Sequence, residues 1–158
     1  MKNMASTFLV TILALGLMAL ATGPSYASAD DQGDRCSLKK SAGRYAMTDN
    51  GTVVGIGPRT AVGVFKLDGK GNLTEGVAAS SLNGSVASET FTGTYTVNPD
   101  CSGSASAQIY SGGVLILQLT AFIAFDDDMK EMRMLFTSVS LPDGTVLPSV
   151  INLEARKQ

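Results

Sequence analysis

The chain has 158 residues, 44% of them hydrophobic and 16% charged, with 12 Lys+Arg against 14 Asp+Glu and no histidine. That apolar content in so short a chain implies one folded domain and excludes a disordered polyelectrolyte, which needs high charge and few apolar side chains. The missing histidine excludes Ser-His-Asp and Cys-His relays and imidazole metal cages, and the mild acidity speaks against nucleic-acid or anionic-membrane partners, which call for clustered Lys and Arg.

In chain order, Lys2 precedes an apolar run from Phe8 to Leu20, too short for a membrane span, which needs about 20 residues. Gly23-Pro24 break it, and Ala27-Ser28-Ala29 supply the small-x-small pattern of a signal-peptidase site. Residues 1–29 therefore read as a signal peptide, 30–42 as an N-terminal tail and 43–158 as the folded domain. The processed protein is expected to be exported, periplasmic or extracellular, with no membrane span left. Export also settles the two cysteines: in an oxidising compartment, Cys36 and Cys101 are most simply one disulfide, worth about 4 kcal/mol by chain entropy as an upper figure.

From Gly43 onward, segments rich in Val, Thr, Ile, Phe and Tyr alternate with turn residues. Strands are predicted over roughly 43–48, 52–56, 60–67, 72–82, 85–97, 102–111, 113–125, 131–139 and 145–155. Asp68 to Asn72, Asn83-Gly84, Asn98-Pro99-Asp100, Gly112-Gly113, Asp126-Asp127-Asp128 and Pro142-Asp143-Gly144 provide the joins. The clearest strand is Thr90 to Val97, with Phe91, Gly93 and Tyr95 on one face and threonines on the other. The fold class is all-β. Sequential hairpins of this kind close most naturally into a small antiparallel up-and-down barrel of about eight strands, since closure removes exposed edges; a two-sheet sandwich is the alternative. Gly63 beside Phe65 and Gly93 beside Tyr95 fit tightly coiling strands. Val114 to Phe125 is apolar on both faces apart from Gln118 and Thr120, so its outer side needs cover: a second copy of the chain, the tail, or a partner sheet.

GRY (Gly43 to Tyr45), AVGVFKLDGKGN (Ala61 to Asn72), SLNG (Ser81 to Gly84), FTGTYTVNPDCSGSAS (Phe91 to Ser106) and the closing Ala155-Arg156-Lys157 resemble a group of exported bacterial proteins, GTYTVNPDC with the earlier cysteine being the most specific part. The architecture of that group is similar to calycin or allene-oxide-cyclase-like β-barrels. The resemblance implies an exported barrel and supplies no catalytic residue. True lipocalins usually carry Gly-x-Trp on the first strand, where this chain has Gly43-Arg44-Tyr45 and no tryptophan at all.

Among possible chemical motifs, Gly55-x-Gly57 and Gly69-x-Gly71 lack the third glycine and the helix of a phosphate loop and read as turns. Ser37-Leu38-Lys39-Lys40 matches a bare S-x-x-K without its companion motifs. Asp126, Asp127, Asp128 and Glu131 are the only candidates for a metal site; contiguous residues point alternately to opposite sides, so a solvated turn is the plainer reading. Strand parity places Glu89 with Phe91 and Tyr95, and Gln118 with Val114, Ile116 and Phe122. A polar group on an apolar inner wall must be paired, sit at a mouth or meet a ligand. Phe65, Glu89, Phe91, Tyr95, Gln118 and Phe122 are the expected ligand contacts. No cofactor is implied.

The reading is an exported, non-catalytic binding module for a small, largely apolar ligand or for copies of itself through Val114 to Phe125. One alternative is a cofactor-free cyclase or isomerase with Glu89 and Tyr95 as acid and base. Another is a structural surface or matrix protein with a filled core.

Overall fold

The computed structural model describes residues 35–158; the signal peptide assigned to residues 1–29 and the first residues of the tail lie outside the described residues. A one-turn helix, α1 (Leu38–Ser41), precedes eight strands: β1 (Gly43–Val53), β2 (Gly57–Leu67), β3 (Asn72–Leu82), β4 (Ser85–Tyr95), β5 (Ser102–Ser111), β6 (Val114–Phe125), β7 (Glu131–Ser140) and β8 (Ser149–Lys157). Each pairs antiparallel with the next and β8 returns to β1, from Tyr45 opposite Lys157 to Val53 opposite Ser149. The sheet is thus a closed up-and-down barrel, not a sandwich.

The expected break between strands 43–48 and 52–56 does not exist. Asn50-Gly51 has the composition of a turn, but Gly51 lies inside the continuous strand β1 opposite Ile151. A Cβ there would run into the Val150 carbonyl oxygen and the Ile151 backbone, so the glycine serves a close approach between strands, and the turn falls at residues 54–56. At the other end of the chain the last strand starts later than expected, because residues 141–148 form a loop held by one bridge between Ser140 and Val146.

Closure bends the strands at register shifts between β2 and β3 near Phe65, between β3 and β4 near Glu75, between β5 and β6 near Tyr110, and between β6 and β7 near Thr120. Gly63 and Gly93 sit on the inner face, as their spacing to Phe65 and Tyr95 predicts. A Cβ on Gly93 would strike the Ser106 carbonyl oxygen and Ala107 on the neighbouring strand. On β4, Phe91 and Tyr95 are buried while Thr90, Thr92 and Thr94 are exposed.

Parity on β6 is the reverse of the expected one. Ala121, Ile123 and Phe125 are buried, and Phe122 is 52% exposed. Apolar residues on both faces remove the alternation that would show which side is inner. The pairing decides it: Gln118 stands opposite the exposed Gln108, and Leu119 opposite the buried Ala107.

One end of the barrel is stoppered. Ser37 caps α1 by accepting a hydrogen bond from Lys40 N at 3.3 Å, so the serine of the S-x-x-K pattern is a helix cap. Ser41 is fully buried; its hydroxyl donates to the Leu38 carbonyl oxygen at 2.8 Å and lies 2.9 Å from the Tyr95 hydroxyl. The Tyr45 hydroxyl donates to the Ser41 carbonyl oxygen at 2.8 Å, with the Met129 carbonyl oxygen at 3.1 Å. The Cys36–Cys101 disulfide ties this plug to the β4–β5 turn across 65 residues of chain. The described part of the tail thus closes the barrel end and leaves the outer side of β6 bare.

Because the disulfide fastens the plug, replacing both Cys36 and Cys101 by Ser is expected to cost about 2–4 kcal/mol of unfolding free energy in denaturant titrations. Retention of full stability by the double variant would show that the plug seats without its cross-link.

Candidate functional site

Inside the ring the side chains are unevenly sized. Ala78 and Ser80 on β3 and Ala105 and Ala107 on β5 flank Phe91 on β4, while Tyr45 and Phe65 come from β1 and β2. Tyr45 stacks on Phe65 at 5.5 Å between ring centroids, and Phe65 meets Phe91 at 6.1 Å. The side chains do not fill the lumen completely.

Two cavities of about 50 Å³ each lie along the axis. The lower one is bounded by Met47, Phe65, Leu73, Phe91, Met134 and Leu153 together with Asp49, Arg59 and Glu89. The upper one lies beneath the β7–β8 loop, among Val53, Leu82, Leu117, Val139, Leu147 and Ile151. Arg59, Ile109, Leu119 and Phe136 border both and form the partition. Each volume is enough for a few waters and smaller than the roughly 150 Å³ that accepts a benzene ring.

The polar part of the partition is a buried ion cluster. Arg59 on β2 donates to both oxygens of Glu89 on β4, at 3.1 and 2.9 Å, and to Asp49 Oδ2 on β1 at 3.3 Å. Ser80 on β3 donates to Glu89 Oε1 at 2.7 Å. Four consecutive strands are thereby tied through their inner faces. The bidentate fork is the strong geometry for a guanidinium and a carboxylate. Glu89 is satisfied three times over, whereas Asp49, only 2% exposed, leaves Oδ1 without a hydrogen-bond partner among the described residues.

This inequality sets the titration. Burial raises the Glu89 carboxyl, but the hydrogen bonds from Arg59 and Ser80, with the Arg59 charge, outweigh it and hold it below its ordinary value. For Asp49 burial wins: its carboxyl is raised in spite of Arg59 and of the nearby Ala61 backbone N–H, and the Glu89 charge adds to the rise. Arg59 is held above its ordinary value, since its pairing with Glu89 and Asp49 overcomes desolvation.

The sequence-derived residues divide accordingly. Phe65, Glu89 and Phe91 line the lower cavity together. Tyr95 belongs to the plug, where burial raises its hydroxyl and Ser41 holds it, so it does not join Glu89. Gln118 and Phe122 lie on the outer parity of β6, which corrects their expected inward position. The acidic turn is also dispersed. Asp126 accepts from the backbone N–H groups of Lys130 and Glu131, at 2.7 and 3.0 Å, Asp127 pairs with Arg35, Asp128 with Lys130 and Glu131 with Arg156.

Asp49 and Arg59 escaped the sequence reading because both fell in gaps between predicted strands. Their signal was present: Asp49 shares parity with Tyr45 and Met47, and Arg59 with Ala61 and Phe65.

No protein-family model and no curated protein matches the chain. Among solved structures, the chain is similar to EF1p2_mFAP2b bound to DFHBI, with a TM-score of 0.52 and 12% identity over 77% of this chain and 97% of that one. It is also similar to a redesigned β-barrel, mFAP1, bound to DFHBI, with a TM-score of 0.49 and 17% identity over 77% of this chain and 98% of that one. At these identities the likeness concerns the barrel fold alone.

The folded state binds a proton at Asp49 more readily than the unfolded chain does, so its contribution to stability is present at low pH and lost as pH rises through the raised value. Asp49→Asn should therefore raise the melting temperature by a few degrees at pH 7, with the gain shrinking toward pH 4. A loss of stability at pH 7 in scanning calorimetry would show that the Asp49–Arg59 contact outweighs the buried charge.

Proposed function

We propose that the protein is an exported, non-catalytic binding barrel that holds a small, largely apolar ligand in its lumen. The observation that carries this reading is the pair of apolar cavities left inside a closed, plugged and cross-linked barrel. A purely structural barrel has no need of open volume beside Phe65 and Phe91, since close packing stabilises a core. The cyclase or isomerase reading is weakened by the state of its candidates: Glu89 is neutralised by Arg59, and Tyr95 sits in the plug. The leader-like segment and the disulfide support export.

Met47 and Met134 line the lower cavity, while Met129 lies in the plug, so methionine methyl groups make internal reporters. Added methanol is expected to shift the methyl NMR signals of Met47 and Met134 but not that of Met129, and Ala107→Val, which fills the cavity, to abolish the shift. Unmoved signals up to high millimolar alcohol would argue for a solid core. Native mass spectrometry of the exported protein should show a chain lacking residues 1–29 and two hydrogens.

Self-association is the second reading, favoured by Phe122 and Leu135, which face each other across β6 and β7 and are each 52% exposed. A sedimentation coefficient of a dimer that falls to that of a monomer in Phe122→Ser would establish it; a monomer at high micromolar concentration would remove it.

A further inference from the structure

The chemistry of the lumen narrows the class of ligand, and this step rests on the binding reading above. Three charged side chains, Asp49, Arg59 and Glu89, border the lower cavity, and Arg59 alone of them borders the upper one. With both carboxylates ionised the cluster carries one excess negative charge in an apolar enclosure. Three of the five N–H donors of Arg59 are spent on carboxylate oxygens, and the Ser80 hydroxyl donates to Glu89. An acceptor is left over. Asp49, with its side chain 3% exposed, borders the lower cavity and has Oδ1 unpartnered among the described residues.

A buried acceptor without a donor is costly, and an uncompensated buried charge more so. A ligand that brings a cation with N–H groups relieves both, whereas a carboxylate or phosphate adds a further like charge to a cluster that already carries one in excess. We propose that the lumen is selective for small apolar amines, bound as ammonium ions with the nitrogen donating to Asp49 Oδ1 and a short hydrocarbon body lying among Phe65, Phe91 and Met134. Burial raises the Asp49 carboxyl, and a cation placed beside it lowers it again.

The test uses the exported, disulfide-bonded protein at pH 7 with three probes small enough for the cavity, methylamine, methanol and sodium formate, followed through the Met47 and Met134 methyl signals. A charge-assisted hydrogen bond is worth about tenfold or more in affinity. The amine should therefore bind about tenfold more tightly than the alcohol, and formate more weakly than either. In Asp49→Asn the amine should lose its advantage over methanol while the alcohol still binds. Formate binding as well as the amine in the wild-type protein, or an amine preference that survives in the variant, would overturn the assignment and leave the lumen as an unselective site. If none of the three probes moves the signals, the lumen is not a binding site and the amine assignment falls with it.

Discussion

The pairing of β8 with β1 is the constraint on which the rest of the molecule depends. A sheet of eight strands with two free edges would expose two rows of unpaired backbone groups, and ring closure removes both. Closure also divides every strand into an inward and an outward face, so one register error would turn a whole row of side chains inside out. Gly51 and Gly93 permit the close strand approach this ring needs, at positions where a Cβ would meet the backbone of the next strand.

The interior that closure creates is not uniform. Large rings from β1, β2 and β4 stand among alanines from β2, β3, β5, β6 and β8, and open volume remains between them. Across the middle lies a buried ion cluster, an arrangement that seldom adds net stability over apolar packing. Arg59 and Glu89 compensate each other through a bidentate fork, so the pair is self-contained. Asp49 is different: it shares Arg59 with a better-placed competitor and keeps one oxygen unbonded. Asp49 is the residue on which the proposed amine selectivity rests.

The two ends of the barrel differ in kind. At one end α1, Tyr45, Tyr95 and Met129 form a hydrogen-bonded stopper that the disulfide secures. At the other, the β7–β8 loop lays Leu147 over the upper cavity, tied within itself by Leu141 N–H to the Thr145 carbonyl oxygen and Gly144 N–H to that of Leu141, and to the barrel by Leu147 N–H to the Val139 carbonyl oxygen and Val54 N–H to that of Pro148.

Composition, turn chemistry and strand alternation were enough to read the all-β class, the sequential hairpins, the closed ring, the pairing of the two cysteines and the inward position of Phe65, Glu89 and Phe91. These follow from local rules: which residues tolerate a turn, and which side of a pleated strand is apolar. The orientation of β6 was beyond such rules, because a strand apolar on both faces carries no parity, and Gln118 and Phe122 were accordingly placed on the wrong side. Asp49 and Arg59 were hidden for a related reason. Asn50-Gly51 reads as a turn in isolation, and only contact with β8 shows that its glycine makes room for a neighbouring backbone. The partner of Glu89 could be known only once the strands were arranged in space, since an ion pair between residues 59 and 89 is a property of the curved inner surface and of no local stretch of chain.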